Sequence, residues 1–280
     1  MTQRALVLSL AVFSILGCKV PEPAPEEVGA LTHYLFLHFE DEEQDQMRVG
    51  TVELEEYIDT LDLSGNVNDR SVSLPVLEGE SLGSLSIPVG IAAEDQEGVA
   101  VFGLSRHDFD ANLSLAGEPN QVCVESNTTV YYHREFLTEK ECFLRQTCER
   151  VSTLNEVRKE TLVSKLWYDL YKDFRFVELD DGRSVIYART WIEEVFEGDT
   201  GANSLNQSFT IEAWIPDAGA PSSTRRFYAM WSSVTGLGGD IYASMVKSGL
   251  DEGMQNADSF LDGVGYDYCP NDRDREYDRE

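Results

Sequence analysis

Residues 174–196 read FRFVELDDGRSVIYARTWIEEVF, and this segment indicates the fold class. Two runs rich in aromatic and β-branched residues, 174–179 and 185–196, flank the tetrapeptide at 180–183. The Asp-Gly pair in that tetrapeptide favours the positive φ angles of a tight hairpin turn. We therefore expect two antiparallel strands that are joined at Gly182.

Two more strands and a long helix are predicted after the hairpin. Residues 205–215 alternate between apolar and polar side chains as far as Pro216, and residues 226–234 form another β-prone run. In residues 240–261 the apolar side chains recur every three or four positions, which is one face of a helix that Asp240 can cap. These patterns predict an antiparallel meander followed by a C-terminal helix.

The N-terminal part of the chain is patterned less regularly. Residues 31–40 (LTHYLFLHFE) form a short apolar run that predicts a strand buried on both faces. Residues 45–61 show the apolar spacing of a helix. Residues 62–93 are rich in turn-forming side chains, so we interpret them as an irregular crossing segment.

Three segments in the middle of the chain complete the prediction. Residues 107–115 alternate strictly, which favours a half-buried strand over a helix capped by Ser105, and residues 129–137 predict another strand. Residues 153–171 combine helical leucine spacing with a β-prone run, so helix and strand both stay open there. Together these elements predict an α+β fold, in which an antiparallel sheet of about six or seven strands packs on the long C-terminal helix.

The composition excludes several classes of protein. The apolar fraction of 42% suits a packed core, and 51 acidic residues against 22 basic ones give a net charge of −29. Such a field repels phosphate groups, so we expect no nucleic acid partner. The sequence contains no phosphate loop, dinucleotide fingerprint or zinc-helix motif, and we predict no cofactor and no metal ion.

The N-terminus has the features of an export signal. Arg4 precedes an apolar stretch at 5–16, which is too short for a permanent membrane span. Residues 15–18 (ILGC) resemble the lipobox of bacterial lipoproteins. The resemblance implies that Cys18 is acylated once residues 1–17 are removed, and that the acyl chains anchor the protein to a membrane.

The same resemblance implies a place in the cell envelope. Lys19 follows the cysteine, whereas an aspartate at that point retains lipoproteins at the inner membrane of enteric bacteria, so we expect the outer membrane. Residues 18–30 are rich in Pro and Glu and are interpreted as an extended linker. We then expect a single α+β domain over residues 31–266 and an acidic, polar tail over residues 267–280.

Four cysteines remain when Cys18 is set aside: Cys123, Cys142, Cys148 and Cys269. An even number of cysteines in an exported protein predicts two disulfides, for which three pairings exist. Cys142 and Cys148 enclose only the segment FLRQT, which favours that pair and leaves Cys123 for Cys269. Metal binding by these thiols is the alternative, although the sequence has no C-x-x-C pair.

A candidate ligand-binding site is predicted on two neighbouring strands. Arg189, Trp191 and Glu193 occupy alternate positions of one strand and share a face, and Glu212 and Trp214 do the same on the next strand. Charges beside tryptophan within a sheet must be paired, solvated at a cavity or bound to a ligand. These five residues are therefore candidate ligand-binding residues, and an ion pair between Arg189 and a glutamate is the structural alternative.

A catalytic alternative rests on histidine. Ser105, His107 and Asp108 have the side chains of a hydrolytic triad, but a triad depends on geometry and not on nearness in the sequence. An extracytoplasmic hydrolase that uses His107 or His133 with nearby carboxylates is our second hypothesis. A third is an envelope protein whose aromatic residues only fill the core.

The predicted order of elements is a strand, a helix, a middle region, several antiparallel strands and a terminal helix. Over residues 32–261 this order resembles the helix-grip fold of the START-like superfamily, which includes polyketide cyclases and lipid carriers. The resemblance implies a curved sheet around the last helix, with a cavity between them. Our first hypothesis is therefore a lipid-anchored, extracytoplasmic protein that binds a small, partly apolar ligand in this cavity.

Overall fold

The computed structural model of the chain describes residues 21–263, with gaps at 78, 89, 93–94, 161–164 and 237–238. The side chains of residues 239–241 are also not described. The predicted signal peptide at 1–17, the predicted lipidation site at Cys18, the linker residues up to 20 and the predicted tail at 267–280 lie outside this range.

Five α-helices and nine strands form the described part of the chain. The helices are α1 (Val28–His38), α2 (Asp45–Asp59), α3 (Phe109–Ala116), α4 (Lys140–Leu144) and α5 (Gly239–Leu261). The strands are β1 (Ser71–Leu74), β2 (Glu97–Ser105), β3 (Thr129–Phe136), β4 (Arg150–Glu160), β5 (Lys165–Glu178), β6 (Ser184–Trp191), β7 (Phe196–Glu197), β8 (Ser204–Pro216) and β9 (Thr224–Thr235). None of the helices in the described residues is both long and apolar enough to cross a membrane.

All strands belong to one antiparallel sheet, which confirms the predicted fold class. The order across the sheet is β1-β2-β9-β8-β6-β5-β4-β3, and the short strand β7 pairs with β8. The sheet is larger than the six or seven strands predicted partly because it includes β1 and β2, to which the sequence patterns assign no strand. In addition, the strand predicted at 185–196 ends at Trp191, and Phe196 belongs to the separate strand β7. Strand β2 pairs with β9 over its whole length, so the N-terminal half of the chain joins the sheet beside the last strand.

The C-terminal meander forms as predicted. Gly182 has φ of 84°, and the amide of Leu179 donates to the carbonyl of Arg183 at 2.9 Å, so the Asp-Gly pair turns the β5–β6 hairpin. The segments predicted at 129–137, 205–215 and 226–234 are strands, and those at 45–61 and 240–261 are helices. Residues 153–171, for which helix and strand were both open, lie mainly in β4 and β5.

The strand predicted at 31–40 is wrong, because these residues form most of α1. Leu31, Leu35, Phe36 and Phe39 are fully buried and recur at helical spacing against the sheet. The carboxylate of Glu27 accepts from the first backbone amides of the helix, so the helix begins before the apolar run. The run was too uniformly apolar for its period to distinguish helix from strand.

The strand predicted at 107–115 is also wrong, because α3 occupies this segment. The carboxylate of Asp108 accepts from the amide of Ala111 at 2.9 Å and caps the helix. The alternation placed Asn112 on an exposed face, whereas its side chain is 1% exposed. Its amide donates to Thr224 Oγ1 and to backbone carbonyls, so a polar residue is buried through its hydrogen bonds.

Helices cover both faces of the sheet. Helices α1 and α2 pack on one face, where Tyr187, Phe209 and Trp231 are fully buried. On the opposite face α5 approaches β2 closely at Gly103, where a Cβ would lie 2.7 Å from Met254 Sδ. Glycine at this position therefore allows the close contact that sets the distance between α5 and the sheet.

Helix α1 begins inside the predicted linker at 18–30. Helix α1 starts at Val28, and the Tyr34 hydroxyl donates to the backbone carbonyl of Glu22 at 3.1 Å. Ala24 packs against the core beneath α1. The part of the linker that the structure describes therefore lies along the fold.

The short disulfide is confirmed. Cys142 and Cys148 are bonded, with their Cα atoms 5.4 Å apart, and they enclose the turn that follows α4. Cys123 is disulfide-bonded as well. Its predicted partner Cys269 lies outside the described residues, so that pairing stays a prediction.

Candidate functional site

A cavity lies between the sheet and α5 and consists of two adjoining chambers. The larger chamber has a volume of about 250 Å³ and the smaller one about 110 Å³. Lys172, Tyr228, Gly249 and Leu250 line both of them. The two chambers therefore meet beneath the middle of α5.

The larger chamber is mainly apolar. Its walls come from β5, from β9 and from the N-terminal half of α5, with Leu166, Tyr168, Met230 and Val246 among the lining side chains. A cavity of about 150 Å³ with apolar walls is large enough to bind benzene. The larger chamber is therefore large enough for a small aromatic or alicyclic group.

The smaller chamber carries the charges. Arg134, Lys172, Glu212 and Arg226 all line it, and each of them is at most 6% exposed. Strands β3, β5, β8 and β9 position these side chains on the face toward α5. Buried charges of this kind require partners, and the partners differ from one residue to the next.

Lys172 and Glu212 form a buried ion pair where the two chambers meet. The Lys172 ammonium lies 2.8 Å and 2.9 Å from the two carboxylate oxygens of Glu212. Thr210 Oγ1 donates to the same carboxylate at 3.4 Å, and the Tyr228 hydroxyl is hydrogen-bonded to it. Burial lowers the pKa of Lys172 and raises the pKa of Tyr228 well above its usual value.

Arg226 anchors the C-terminal half of α5. Its guanidinium donates to Asn112 Oδ1 at 3.1 Å and to the backbone carbonyl of Met254 at 2.8 Å, and it lies 3.0 Å from the Asp258 carboxylate. Burial lowers the pKa of this guanidinium. The Ser105 hydroxyl donates to the same aspartate at 2.6 Å. This half of the helix is therefore bound to β2 and β9.

The five residues predicted as a ligand site do not come together. Glu212 and Trp214 line the smaller chamber. Arg189 and Trp191 lie on the opposite face of the sheet, against α1, and Glu193 is exposed after the end of β6. The sequence pattern shows which residues share a face within one strand. Which face of the neighbouring strand lies on the same side of the sheet depends on the pairing register.

Arg189 has the structural role that was the alternative to ligand binding. Its guanidinium pairs with the carboxylate of Glu40 and lies within 5.6 Å of the ring centres of Phe36, Phe39 and Trp191. Burial lowers its pKa, although the pairing with Glu40 opposes this shift. The residue therefore fixes the end of α1 to the sheet.

Two further arginines bind the end of the same helix. Arg175 donates to the carbonyl of Phe39 at 2.8 Å, and Arg150 donates to the carbonyl of Asp41 at 3.0 Å. Cations near the C-terminal carbonyls of a helix are favourable because the helix dipole is negative there. Arginines of β4, β5 and β6 therefore hold α1 in place.

The histidines of the hydrolase hypothesis do not form a triad. His107 Nε2 lies 3.1 Å from the Asp262 carboxylate, while the Ser105 hydroxyl is directed to Asp258. Asp108 is used as the cap of α3. His133 is exposed on β3, opposite Glu156 of β4. In the described part of the chain no group of three His, Cys, Asp or Glu side chains is placed to hold a metal ion.

The sequence reasoning missed the charged residues of β3 and β5. Arg134 lies inside the strand predicted at 129–137, and Lys172 lies between the ambiguous segment at 153–171 and the strand predicted at 174–179, in a run of β-prone residues. A basic side chain in such a run is a signal, since it must find a partner or face a cavity. Recognising the pair of Lys172 with Glu212 required the register, which places β6 between their strands.

Comparisons with known proteins give structural similarity alone. No protein-family model matches the chain, and no curated protein matches it. The chain is similar to a solved structure of a STAR-related lipid transfer protein from Xanthomonas axonopodis, with 12% identity and a TM-score of 0.43 over 60% of this chain and 87% of that one. It is also similar to a protein from Thermus thermophilus, with 10% identity and a TM-score of 0.40 over 59% and 97% of the two chains. A third similar structure is the ZhuI aromatase/cyclase from a Streptomyces species, with 10% identity and a TM-score of 0.37 over 60% and 94%. Similarity at this level carries no argument about what the chain binds.

Proposed function

We propose that this protein is a lipid-anchored, extracytoplasmic binding protein that holds a small, partly apolar ligand between its sheet and α5. The observation that carries the proposal is the larger chamber, with its apolar walls and a volume of about 250 Å³. A binding site of this kind typically combines apolar walls with a few polar groups that orient the ligand. Lys172 and Tyr228 supply those groups here.

The location outside the cytoplasm rests on the leader and on the cysteines. Residues 15–18 resemble a lipobox, and Lys19 favours the outer membrane. The Cys142–Cys148 disulfide supports this location because disulfides persist mainly in oxidising compartments. The ligand would therefore be one that occurs in the envelope or in the medium.

Gly249 offers a direct test of the cavity because it lines both chambers from α5. A Cβ at this position would lie 3.8 Å from Ser126 Cβ, so a side chain fits there without a backbone clash. Replacing a helical glycine also raises helix propensity by roughly 1 kcal/mol. Gly249→Leu therefore fills the junction of the chambers in a helix that still forms, and Gly249→Ala is its matched control.

The probe is N-phenyl-1-naphthylamine, a neutral compound whose fluorescence rises in apolar surroundings. We expect the purified full-length protein and Gly249→Ala to bind it, and Gly249→Leu to bind it at least about tenfold more weakly because the leucine must be displaced. Absence of binding by the unaltered protein, or equal binding by the leucine variant, would contradict the cavity as a binding site.

The anchor is tested separately through Cys18. We expect the unaltered chain, expressed in a Gram-negative host, to incorporate labelled palmitate and to sediment with membranes. Cys18→Ser should remove the label and release the protein into the soluble fraction. A Cys142→Ser/Cys148→Ser variant is the control and should stay membrane-bound. Membrane association that survives Cys18→Ser would refute the anchor.

A further inference from the structure

Arg134 is a buried cation without an acidic partner in the described part of the chain. Its side chain is 4% exposed and lines the smaller chamber. No carboxylate of the described residues lies within 4.0 Å of its guanidinium, although the chain has 51 acidic residues. A buried charge without a counter-charge is unfavourable, so the burial of the Arg134 guanidinium requires a physical explanation.

The other charges of the smaller chamber are already paired. Lys172 binds Glu212, and Arg226 binds Asp258. The carboxylate of Glu125, which also lines both chambers, lies 3.7 Å from Lys159. Each of these pairs is neutral overall. The guanidinium of Arg134 therefore leaves the chamber with one positive charge in excess.

Neutral hydrogen-bond acceptors use only some of the N–H donors of this guanidinium. Nε donates to Asn155 Oδ1 at 2.9 Å, one terminal nitrogen donates to the Ala116 carbonyl at the end of α3, and the other donates to the Tyr132 hydroxyl at 3.3 Å. Arginine has five N–H donors, so two remain. The rings of Phe174 and Tyr132, at 5.3 Å and 5.7 Å, stabilise the cation without neutralising it.

The net charge and the apolar surface of the cavity therefore lie in different chambers. The excess positive charge lies in the smaller one, and the apolar walls belong to the larger one, with Lys172 and Leu250 at the boundary. A ligand that spans both must be polar at one end and apolar at the other. Because Lys172 is already paired with Glu212, Arg134 is the group that selects the charge of the polar end.

Building on the proposed function, we infer that the ligand is an amphipathic organic monoanion, such as an aromatic or alicyclic carboxylate. Its anionic group binds Arg134 in the smaller chamber, and its apolar part fills the larger chamber. Carboxylates suit this role because an arginine fork can donate two hydrogen bonds to one carboxylate.

The test uses three probes that share one apolar body and differ in charge: 2-naphthoate, 2-naphthamide and 2-naphthylmethylammonium. Affinities are measured by equilibrium dialysis with the purified full-length protein at pH 7.5. We expect 2-naphthoate to bind at least about tenfold more tightly than 2-naphthamide, since a hydrogen bond to a charged group contributes this much. The ammonium probe should bind most weakly.

Arg134→Met then identifies the group that selects the charge. We expect it to reduce the affinity for 2-naphthoate by at least about tenfold and to abolish the preference for 2-naphthoate over 2-naphthamide. Arg145→Met removes the same charge from an exposed position and should preserve the preference for the anion. If Arg134→Met does not fold, the preference of the unaltered protein among the three probes still decides.

The outcomes separate the two proposals. Equal binding of 2-naphthoate and 2-naphthamide, or a preference for the ammonium probe, overturns the inference that the ligand is an anion. The proposal that the cavity is a binding site then still stands. A preference for the anion that persists in a folded Arg134→Met variant also overturns the role of Arg134. If none of the three probes binds, both the inferred anionic ligand and the proposed function are overturned.

Discussion

The ammonium of Lys172 lies 2.8 Å from Oε1 of Glu212, and strand β6 separates the two strands that carry them. Both residues are buried, at 6% and 2% exposed, so the pair is almost completely removed from water. In such a pair the attraction between the charges offsets the loss of hydration only while both partners are present. The pair therefore links the stability of the fold to the boundary between the two chambers.

Breaking this pair should destabilise the protein strongly. Glu212→Gln leaves a buried ammonium and Lys172→Met leaves a buried carboxylate, and each should lower the free energy of unfolding by about 3–5 kcal/mol. The double variant Lys172→Met/Glu212→Gln should lose much less than the sum, because no charge is left unpaired. Urea unfolding of the four proteins measures this coupling, and additive losses would show that the two side chains do not interact.

Stability should fall in alkali because of buried phenols. Burial raises the pKa of Tyr132, Tyr187 and Tyr228, so in the folded state these groups keep their protons where they would lose them in the unfolded chain, near pH 10. The folded state then binds more protons than the unfolded state. The free energy of unfolding should therefore decrease above pH 10, by at most about 1.4 kcal/mol per group and pH unit.

Lys172 acts in the opposite direction in the same range. Its pKa is lowered by burial, so between that lowered pKa and 10.5 the unfolded state binds the extra proton and stability rises with pH. Because three tyrosines lower the free energy of unfolding in this range and one lysine raises it, the net effect is a decrease. Urea unfolding between pH 8 and pH 11 measures the slope, and Tyr187→Phe should make it shallower. Equal stability at pH 9 and pH 11 would contradict the burial of these phenols.

Arg189 and Arg134 should differ in their effects although both are buried arginines. Arg189→Met removes the partner of Glu40 on the α1 face and should lower the free energy of unfolding by roughly 2–3 kcal/mol. It should leave the affinity for 2-naphthoate unchanged, because the cavity lies on the other face of the sheet. Dialysis and urea unfolding of the same samples separate stability from binding. A weakened 2-naphthoate affinity in Arg189→Met would place Arg189 in the binding site after all.

The Cys142–Cys148 disulfide should contribute modestly to stability. The bridged residues are six positions apart, and the chain-entropy model assigns such a short loop about 2 kcal/mol. Cys142→Ser/Cys148→Ser should therefore lower the free energy of unfolding by about this amount. Intact-mass measurement without reductant should show the loss of one disulfide. An unchanged stability would mean that the turn after α4 is already fixed by packing around Phe143, which is fully buried.

Much of the fold could be predicted from local patterns. The β5–β6 hairpin follows from the Asp-Gly turn at Gly182, and α5 follows from its apolar spacing. The patterns failed at α1 and α3. In α1 most residues of the run at 31–40 are apolar, because this helix packs against both the sheet and α2. In α3 the alternating pattern assigned Asn112 to the exposed face of a strand, although Asn112 is buried.

The candidate site depended more on tertiary structure. The sequence picked out Glu212 and Trp214, which do line the cavity, but it grouped them with Arg189 and Trp191 from the other face of the sheet. Parity along one strand says which residues share a face within that strand. It cannot say which face of the next strand matches, because that depends on register and on β-bulges such as the one between Leu205 and Gln207.

What the sequence determined by itself is therefore local: the composition of an acidic, core-forming chain, the short disulfide, the meander and the terminal helix. These features depend on neighbours within a few residues, where turn chemistry and periodicity act. Tertiary structure alone decided that Lys172 meets Glu212 and that Arg134 faces the cavity without an acidic partner among the described residues. Residues distant in the chain meet only through strand pairing and the packing of α5, and burial then gives their charges the low-dielectric surroundings in which pairing matters.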